Sequence, residues 1–129
     1  MFAPSHPDAI FTYGAPALKF GPGARHEIAF DLIRYRPRRV LIVTDAGVAA
    51  TGAPEELADQ IRATAVTVVV FAGARVEPTG GSLNEAVEFA RANGPFDVII
   101  AVGGGSSIDT AKAVNLLVTN DGELMDYVN

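Results

Sequence analysis

Three consecutive glycines, Gly103, Gly104 and Gly105, followed by Ser106, are the residues of this chain best suited to chemistry, and that chemistry is anion binding. Glycine has no side chain, so backbone N–H groups can approach a phosphate closely. The run that holds them, Val98–Lys112 (VIIAVGGGSSIDTAK), begins with five apolar residues that read as a buried strand. Ser106 then opens a helix, whose first amides are unpaired and carry partial positive charge. Strand, glycine turn and helix start in that order predict a site for a phosphorylated ligand, a dinucleotide first of all. The spacing departs from two familiar phosphate loops. Gly103-x-Gly105 supplies the first two glycines of G-x-G-x-x-G, but Ile108 holds the third place, and no Gly-Lys-Ser/Thr follows as a Walker loop requires. Ser106-x-x-Asp109 also reads as a capping box, and Asp109 with Lys112 as an i,i+3 surface pair. Capping accounts for Ser106 and Asp109. It does not account for three glycines in a row, each unfavourable in backbone entropy.

Other chemistries find little support. There is no cysteine, which excludes disulfides and thiolate metal sites. His6 and His26 stand far apart, without the carboxylate or histidine company of a metal site, and read as solvated surface residues. A net charge of −5 disfavours non-specific nucleic-acid binding. No apolar stretch reaches the roughly 18 residues of a membrane span. The first residues lack the basic n-region of a secretory signal and the arginines of a transit peptide, so the cytoplasm is the expected compartment. With 129 residues, 49% of them hydrophobic and 19% charged, the chain suffices for a single folded domain over 1–129.

The elements that must position the glycine turn follow from periodicity. A leader with Pro4 and Pro7 precedes short extended runs at Phe11–Tyr13 and Ala17–Phe20, and Gly21-Pro22-Gly23 is a turn. Ala24–Arg34 reads as a helix ended by Pro37, with Ile28, Leu32 and Ala29, Ile33 at i,i+4 spacing. Arg39–Thr44 is a strand apolar on both faces, as a covered parallel strand is, and Asp45 ends it. Ala53–Thr64 is a helix with Leu57, Ala58, Ile61 and Ala65 on one face, and Val66–Phe71 is a strand rich in β-branched residues. After a loop, Ala72–Gly81, Ser82-x-x-Glu85 reads as the capping box of a third helix whose apolar face is Leu83, Ala86, Val87 and Ala90 and which Asn93-Gly94-Pro95 ends. Strand Val98–Val102 and helix Ser106–Val118 complete the pattern, with a turn at Asn120-Asp121-Gly122 and a short element over Glu123–Val128. Strands alternating with helices predict an α/β domain, a mainly parallel sheet with helices on both faces. Ligands of such sheets bind beyond the carboxyl ends of the strands. Asp45, the Glu77-Pro78-Thr79 loop and the Gly103–Ser106 turn all follow strand ends and are expected along one edge of the sheet.

GGGSSIDTAK, residues 103–112, resembles the GGGSxxDxAK motif of the iron-containing (group III) alcohol dehydrogenases. LKFGPGARHEIAFDL, VLIVTDAGV, ARVEPTGGSLNEAVEFA and the closing MDYVN are similar to the hydroxyacid–oxoacid transhydrogenase branch, and the likeness covers roughly residues 11–129. The resemblance implies a Rossmann-like domain similar to the N-terminal domain of dehydroquinate synthase. It implies NAD as cofactor, with hydride passing between an alcohol or hydroxy acid and an oxoacid, 4-hydroxybutyrate and 2-oxoglutarate in that branch. By resemblance, Gly103, Gly104, Gly105 and Ser106 hold the pyrophosphate and Asp45 receives the adenosine ribose hydroxyls. Glu77, Pro78 and Thr79 border the cofactor, and Asp109 lies near its nicotinamide end. Lys112 matches the motif without an assignable role. Asp45 adds a physical preference. A 2′-phosphate about 4 Å from its carboxylate would meet repulsion of about 1 to 4 kcal/mol, which favours NAD over NADP.

The family also implies what this sequence does not contain. Its members continue into an all-helical domain whose Asp and three His bind Fe²⁺ or another divalent metal, and an IPTT-like strand and a GTGSE-like segment precede that domain. No such cluster stands in residues 1–129. The expectation is that this chain alone binds no catalytic metal and shows no dehydrogenase turnover, having no Lewis acid to polarise the substrate oxygen. An incomplete sheet would expose an edge through which a homo-oligomer could form. A non-catalytic nucleotide-binding module stays open as an alternative, as does a metal-independent reductase similar to maleylacetate reductase, although Asp109 argues against the latter.

Overall fold

The structure, a computed structural model, describes residues 12–127. The leader, Phe11, His6 and Val128 lie outside the described residues. RVLIVTD forms β1 (Arg39–Asp45), buried over its five central residues. It pairs in parallel with β2 (Thr67–Ala74) on one side and β3 (Val98–Ala101) on the other, giving the order β2-β1-β3. Parallel neighbours need crossovers. α3 (Ala53–Arg62) carries the chain from β1 to β2, α4 (Gly80–Asn93) from β2 to β3, and α5 (Gly105–Thr119) leaves β3.

Side-chain alternation divides β1 between two cores. Leu41 and Val43 pack with Phe71 and Ala74 of β2, Ala86, Val87 and Ala90 of α4, and Ala111, Val114 and Leu117 of α5. Val40 and Ile42 face the other way, onto Leu57, Ala58 and Ile61 of α3, with Leu32 and Val68. The helices therefore cover both faces, as the continuous apolar run of β1 predicts. They also leave the sheet in different directions. The connection after β1 turns to the α3 face, whereas those after β2 and β3 turn to the face of α4 and α5. Adjacent strands whose exits diverge leave a crevice at their carboxyl ends, and here β1 borders it on both sides.

Several local expectations need correction. The helix expected over Ala24–Arg34 is broken into a 3-10 turn (Ala24–Glu27), a single α turn, α1 (Ile28–Asp31), and a second 3-10 turn (Leu32–Tyr35). No side chain caps it, and of its apolar residues only Leu32 is fully buried while Phe30 and Ile33 are exposed, so little packing energy favours one winding over the other. Tyr13 and Ala17–Phe20 join no strand. β2 runs on to Ala74 because its pairing with β1 resumes at Asp45↔Ala74 after an irregularity past Val43, which overrides the weak strand propensity of Ala72 and Gly73. α3 ends at Arg62, and Ala65 lies exposed beyond it at φ 64°. β3 stops at Ala101, with the Val102 amide still donating to the Val43 carbonyl at 2.9 Å. Glu123–Val128 yields a 3-10 turn, Leu124–Tyr127.

One expected capping box moves and the other does not form. α4 begins at Gly80 with Thr79 as N-cap. The Thr79 hydroxyl accepts from the Ser82 amide at 3.1 Å, and the Ser82 hydroxyl accepts from the Thr79 amide at 2.9 Å, so Ser82 is the third helical residue and not the cap. The box is set by Thr79 and Ser82, three positions before the Ser82-x-x-Glu85 expected from the sequence, because Gly80-Gly81 disguises the first helical turn. α5 begins at Gly105 behind Gly104, with no side-chain cap, so Ser106-x-x-Asp109 is not a capping box. Asp109 and Lys112 are both exposed, and the ion pairs of the described residues do not join them.

Candidate functional site

The ends of β1 and β3 lie side by side, and the residues that follow them meet. Asp45 terminates β1 and caps α2 (Ala46–Ala49): its Oδ1 accepts from the Val48 amide at 2.9 Å. Asp45 is thus a helix-cap carboxylate, whatever else it binds. Its Oδ2 accepts from the Ser107 hydroxyl at 3.3 Å, a link 62 residues long in sequence between β1 and the first turn of α5. Gly103 lies between these partners. A Cβ built on it falls 2.7 Å from Ser107 Oγ and 3.3 Å from Asp45 Oδ2, and its φ of 145° is one that L side chains rarely adopt. Gly103 is glycine because the fold requires it.

Gly104 and Gly105 are different. A Cβ on either meets nothing within 4 Å, and neither has positive φ. Nothing among the described residues demands glycine there; a ligand pressed against the backbone would. These two residues open α5, whose first-turn amides receive no side-chain cap. Uncapped amides at the start of a 15-residue helix, approached over bare backbone, suit the chemistry of a phosphate or diphosphate. Ser106 is half-buried there, and its carbonyl accepts from the Thr110 hydroxyl at 2.8 Å.

The remaining predicted residues are placed less closely. Glu77-Pro78-Thr79 follows β2, on the far side of β1 from β3. No hydrogen bond among the described residues joins this loop to Asp45 or the glycine turn. Glu77 is exposed at φ 56°, a strained conformation for a non-glycine residue, and the Thr79 hydroxyl is engaged as the α4 cap. Asp109 lies on the exposed face of α5, one turn beyond Ser106. The structure therefore brings together Asp45 and Gly103–Ser106, sets Glu77–Thr79 along the same sheet edge, and leaves Asp109 on the exposed face of α5.

Two residues of this corner escaped the sequence reading. Thr44, fully buried, donates its hydroxyl to the Val102 carbonyl at 2.7 Å and ties β1 to the segment entering the glycine turn. Ser107 is likewise fully buried. A signal existed for Ser107, since Ser107, Ala111, Val114 and Leu117 form the buried stripe of α5 at helical spacing. Among the described residues no group of three or more His, Cys, Asp or Glu side chains could hold a metal ion, and no helix is long and apolar enough to cross a membrane.

Known proteins share this fold and much of its sequence. The family described as iron-containing alcohol dehydrogenase matches residues 15–129. The mitochondrial hydroxyacid-oxoacid transhydrogenase of Mus musculus is 35% identical over 123 residues, which are 95% of this chain and 26% of that protein. The NAD-dependent methanol dehydrogenase of Bacillus methanolicus is 39% identical over 113 residues, 87% of this chain and 29% of that protein. Among solved structures, a 1,3-propanediol oxidoreductase superposes with a TM-score of 0.83 at 27% identity, covering 93% of this chain and 31% of its own. The NADH-dependent butanol dehydrogenase A of Thermotoga maritima gives 0.79 at 27% identity, covering 91% of this chain and 30% of its own. The chain thus spans between a quarter and a third of the length of these relatives. With a match running from residue 15 through the glycine turn to Asn129, it belongs to the iron-containing alcohol dehydrogenase family.

Proposed function

We propose that this chain is the NAD-binding portion of an oxidoreductase that moves hydride between a nicotinamide cofactor and an alcohol or hydroxy acid. The observation that carries the reading is the meeting of the Asp45 carboxylate with Gly103 at the start of α5. A dinucleotide has two chemically distinct ends to satisfy, a diphosphate and a ribose diol, and this corner offers a complement to each. The amides of Gly104, Gly105 and Ser106 receive the diphosphate, over backbone that no side chain obstructs. Asp45 has one donor on each oxygen already, and an ionised carboxylate accepts about four, so capacity remains for the two ribose hydroxyls. Bound NAD supplies the hydride acceptor; the chain's own part is to orient it. By the resemblance, Glu77, Pro78 and Thr79 border the cofactor and Asp109 lies near its nicotinamide end. The names of the transhydrogenase and methanol dehydrogenase relatives support small hydroxy acids, oxoacids or alcohols as substrates. The iron of the family's name finds no fitting donor set among the described residues, so the roles assigned to this chain are those of cofactor binding.

Calorimetric titration of NAD and NADP tests the reading. NAD binds more tightly, by at least about fivefold if the 2′-phosphate sits about 4 Å from Asp45 in water-like surroundings. Asp45→Ala narrows that ratio toward one. Absence of NAD binding in the product of the complete open reading frame would overturn the proposal. The same product, assayed with 4-hydroxybutyrate and 2-oxoglutarate, tests the substrate class.

A further inference from the structure

We propose that Ser107 is a specificity-positioning residue of the nucleotide site: its buried hydroxyl fixes the Asp45 carboxylate in the orientation that accepts a ribose diol and repels a 2′-phosphate. The inference rests on the reading of Asp45 as the ribose acceptor. Ser107 is 0% exposed, and Asp45 Oδ2 is the partner that satisfies its hydroxyl; no buried side-chain polar atom of the described residues lacks one. The carboxylate is thereby held through both oxygens, from opposite sides. Oδ1 is held by the Val48 amide of α2 and Oδ2 by Ser107 of α5, and these helices lie beyond the ends of two different strands. Either bond alone leaves the carboxylate free to turn about its Cβ–Cγ bond. The two together fix its plane, and with it the direction of the lone pairs left for ligand.

Gly103 makes this contact possible. A side chain at that position would reach 2.7 Å from Ser107 Oγ and 3.3 Å from Asp45 Oδ2, so only glycine lets the hydroxyl and the carboxylate meet beneath the turn. The residue that admits the diphosphate thus also admits the bond that orients the ribose acceptor. Asp45 keeps its Val48 bond when the hydroxyl is removed, so Ser107→Ala spares the cap of α2 while freeing Oδ2.

A residue that only packs would, on truncation, weaken both nucleotides alike. A positioning residue changes their ratio. The test measures NAD and NADP affinities on the product of the complete open reading frame for the wild type, Ser107→Ala, Ser107→Cys and Asp45→Ala, with thermal melts of each. Ser107→Ala is expected to lower the NAD:NADP affinity ratio about three- to tenfold, the effect of one long hydrogen bond to a charged group. Ser107→Cys, similar in size but a weaker donor, falls between the wild type and alanine. If Asp45→Ala collapses the ratio while Ser107→Ala leaves it unchanged, or lowers both affinities equally, the role of Ser107 is refuted and that of Asp45 stands. If Asp45→Ala leaves the ratio unchanged, the ribose reading fails and this inference fails with it.

Discussion

Gly103→Ala separates the glycine that the fold requires from those that a ligand requires. The added methyl carbon would lie 2.7 Å from Ser107 Oγ and 3.1 Å from Ser107 Cβ, contacts that a buried helical residue cannot relieve by swinging away. Overpacking of this kind costs about 1–3 kcal/mol. The φ of 145° adds strain of about 1–3 kcal/mol for any L residue. A combined loss of about 2–6 kcal/mol is a large part of the ~5–15 kcal/mol that stabilises an ordinary domain. Unfolding entropy of about 2.1 cal/mol/K per residue turns that loss into a fall in Tm of roughly 7–22 °C for a chain of this length. Gly104→Ala and Gly105→Ala meet no atom within 4 Å and leave Tm within about 2 °C, yet weaken nucleotide binding by filling the approach to the amides. Scanning calorimetry of the three variants, with nucleotide titrations, reads both effects. Ser107→Ala in the Gly103→Ala background removes the closer of the two Ser107 contacts and recovers part of the loss, a coupling that a double-mutant cycle measures. A Gly103→Ala protein that melts with the wild type would refute the account of the corner, as would a Gly104→Ala protein that melts as low as Gly103→Ala.

Two further variants probe the elements around the site. Thr79→Val removes the hydroxyl that accepts from the Ser82 amide and lowers stability by about 1 kcal/mol in urea denaturation, whereas Glu85→Gln, at the position outside the true capping box, leaves it unchanged. The amides of Arg38 and Arg39 hold the Asp97 carboxyl below the usual carboxylate range. Its contribution to stability is therefore complete above the unfolded value near 4 and is lost as pH falls through the lower folded value, so acid melts of Asp97→Asn show a weaker decline below about pH 4 than the wild type.

The fold was legible where periodicity was strong. β1 shows five apolar or buried residues in succession and lies at the centre of the sheet, and of the α4 face named from spacing Ala86, Val87 and Ala90 pack into the core while Leu83 does not. Ala24–Tyr35 was less legible because its i,i+4 pattern counts apolar residues without knowing which have a surface to cover, and Phe30 and Ile33 have none. Cap positions were misread at both glycine-rich helix starts. Gly80-Gly81 and Gly104-Gly105 lack the side chains from which a helix start is recognised, so the sequence places the first turn too late. In the site, Asp45 and the glycines could be named from chain order, since residues after neighbouring parallel strands share one edge. The Ser107 bond could not, because it depends on how α5 rotates over the sheet, an angle set by the packing of Ala111, Val114 and Leu117 into the core.

The site's geometry depends on how β3 is held, because β3 is only four residues long. At its amino end Asp97 accepts from the Arg38 and Arg39 amides at 2.7 and 3.1 Å. The Asp97 amide returns a bond to the Arg39 carbonyl at 2.9 Å, and the Arg39 guanidinium donates to the Asn93 carbonyl at 2.6 Å. These contacts fix the strand but lie at the end away from the glycine turn. At the carboxyl end the Val102 amide bonds the Val43 carbonyl at 2.9 Å, and the Thr44 hydroxyl adds a side-chain tie to the Val102 carbonyl at 2.7 Å, one residue before Gly103 and one before Asp45. Thr44→Val keeps the shape and removes the donor. It costs about 1–3 kcal/mol, since the donor is buried and the carbonyl loses its partner. The spacing between the two strand ends then relaxes, and with it the distance between the diphosphate amides and the ribose carboxylate. Because that distance matters to both nucleotides, NAD and NADP affinities fall together, in contrast to the change of ratio expected at Ser107. Thr44→Val and Ser107→Ala, titrated side by side, therefore separate the residue that sets the distance across the crevice from the residue that sets the direction of the carboxylate. A change of ratio in Thr44→Val, or no change in either affinity, would show that the spacing of the two strand ends is not set by this bond.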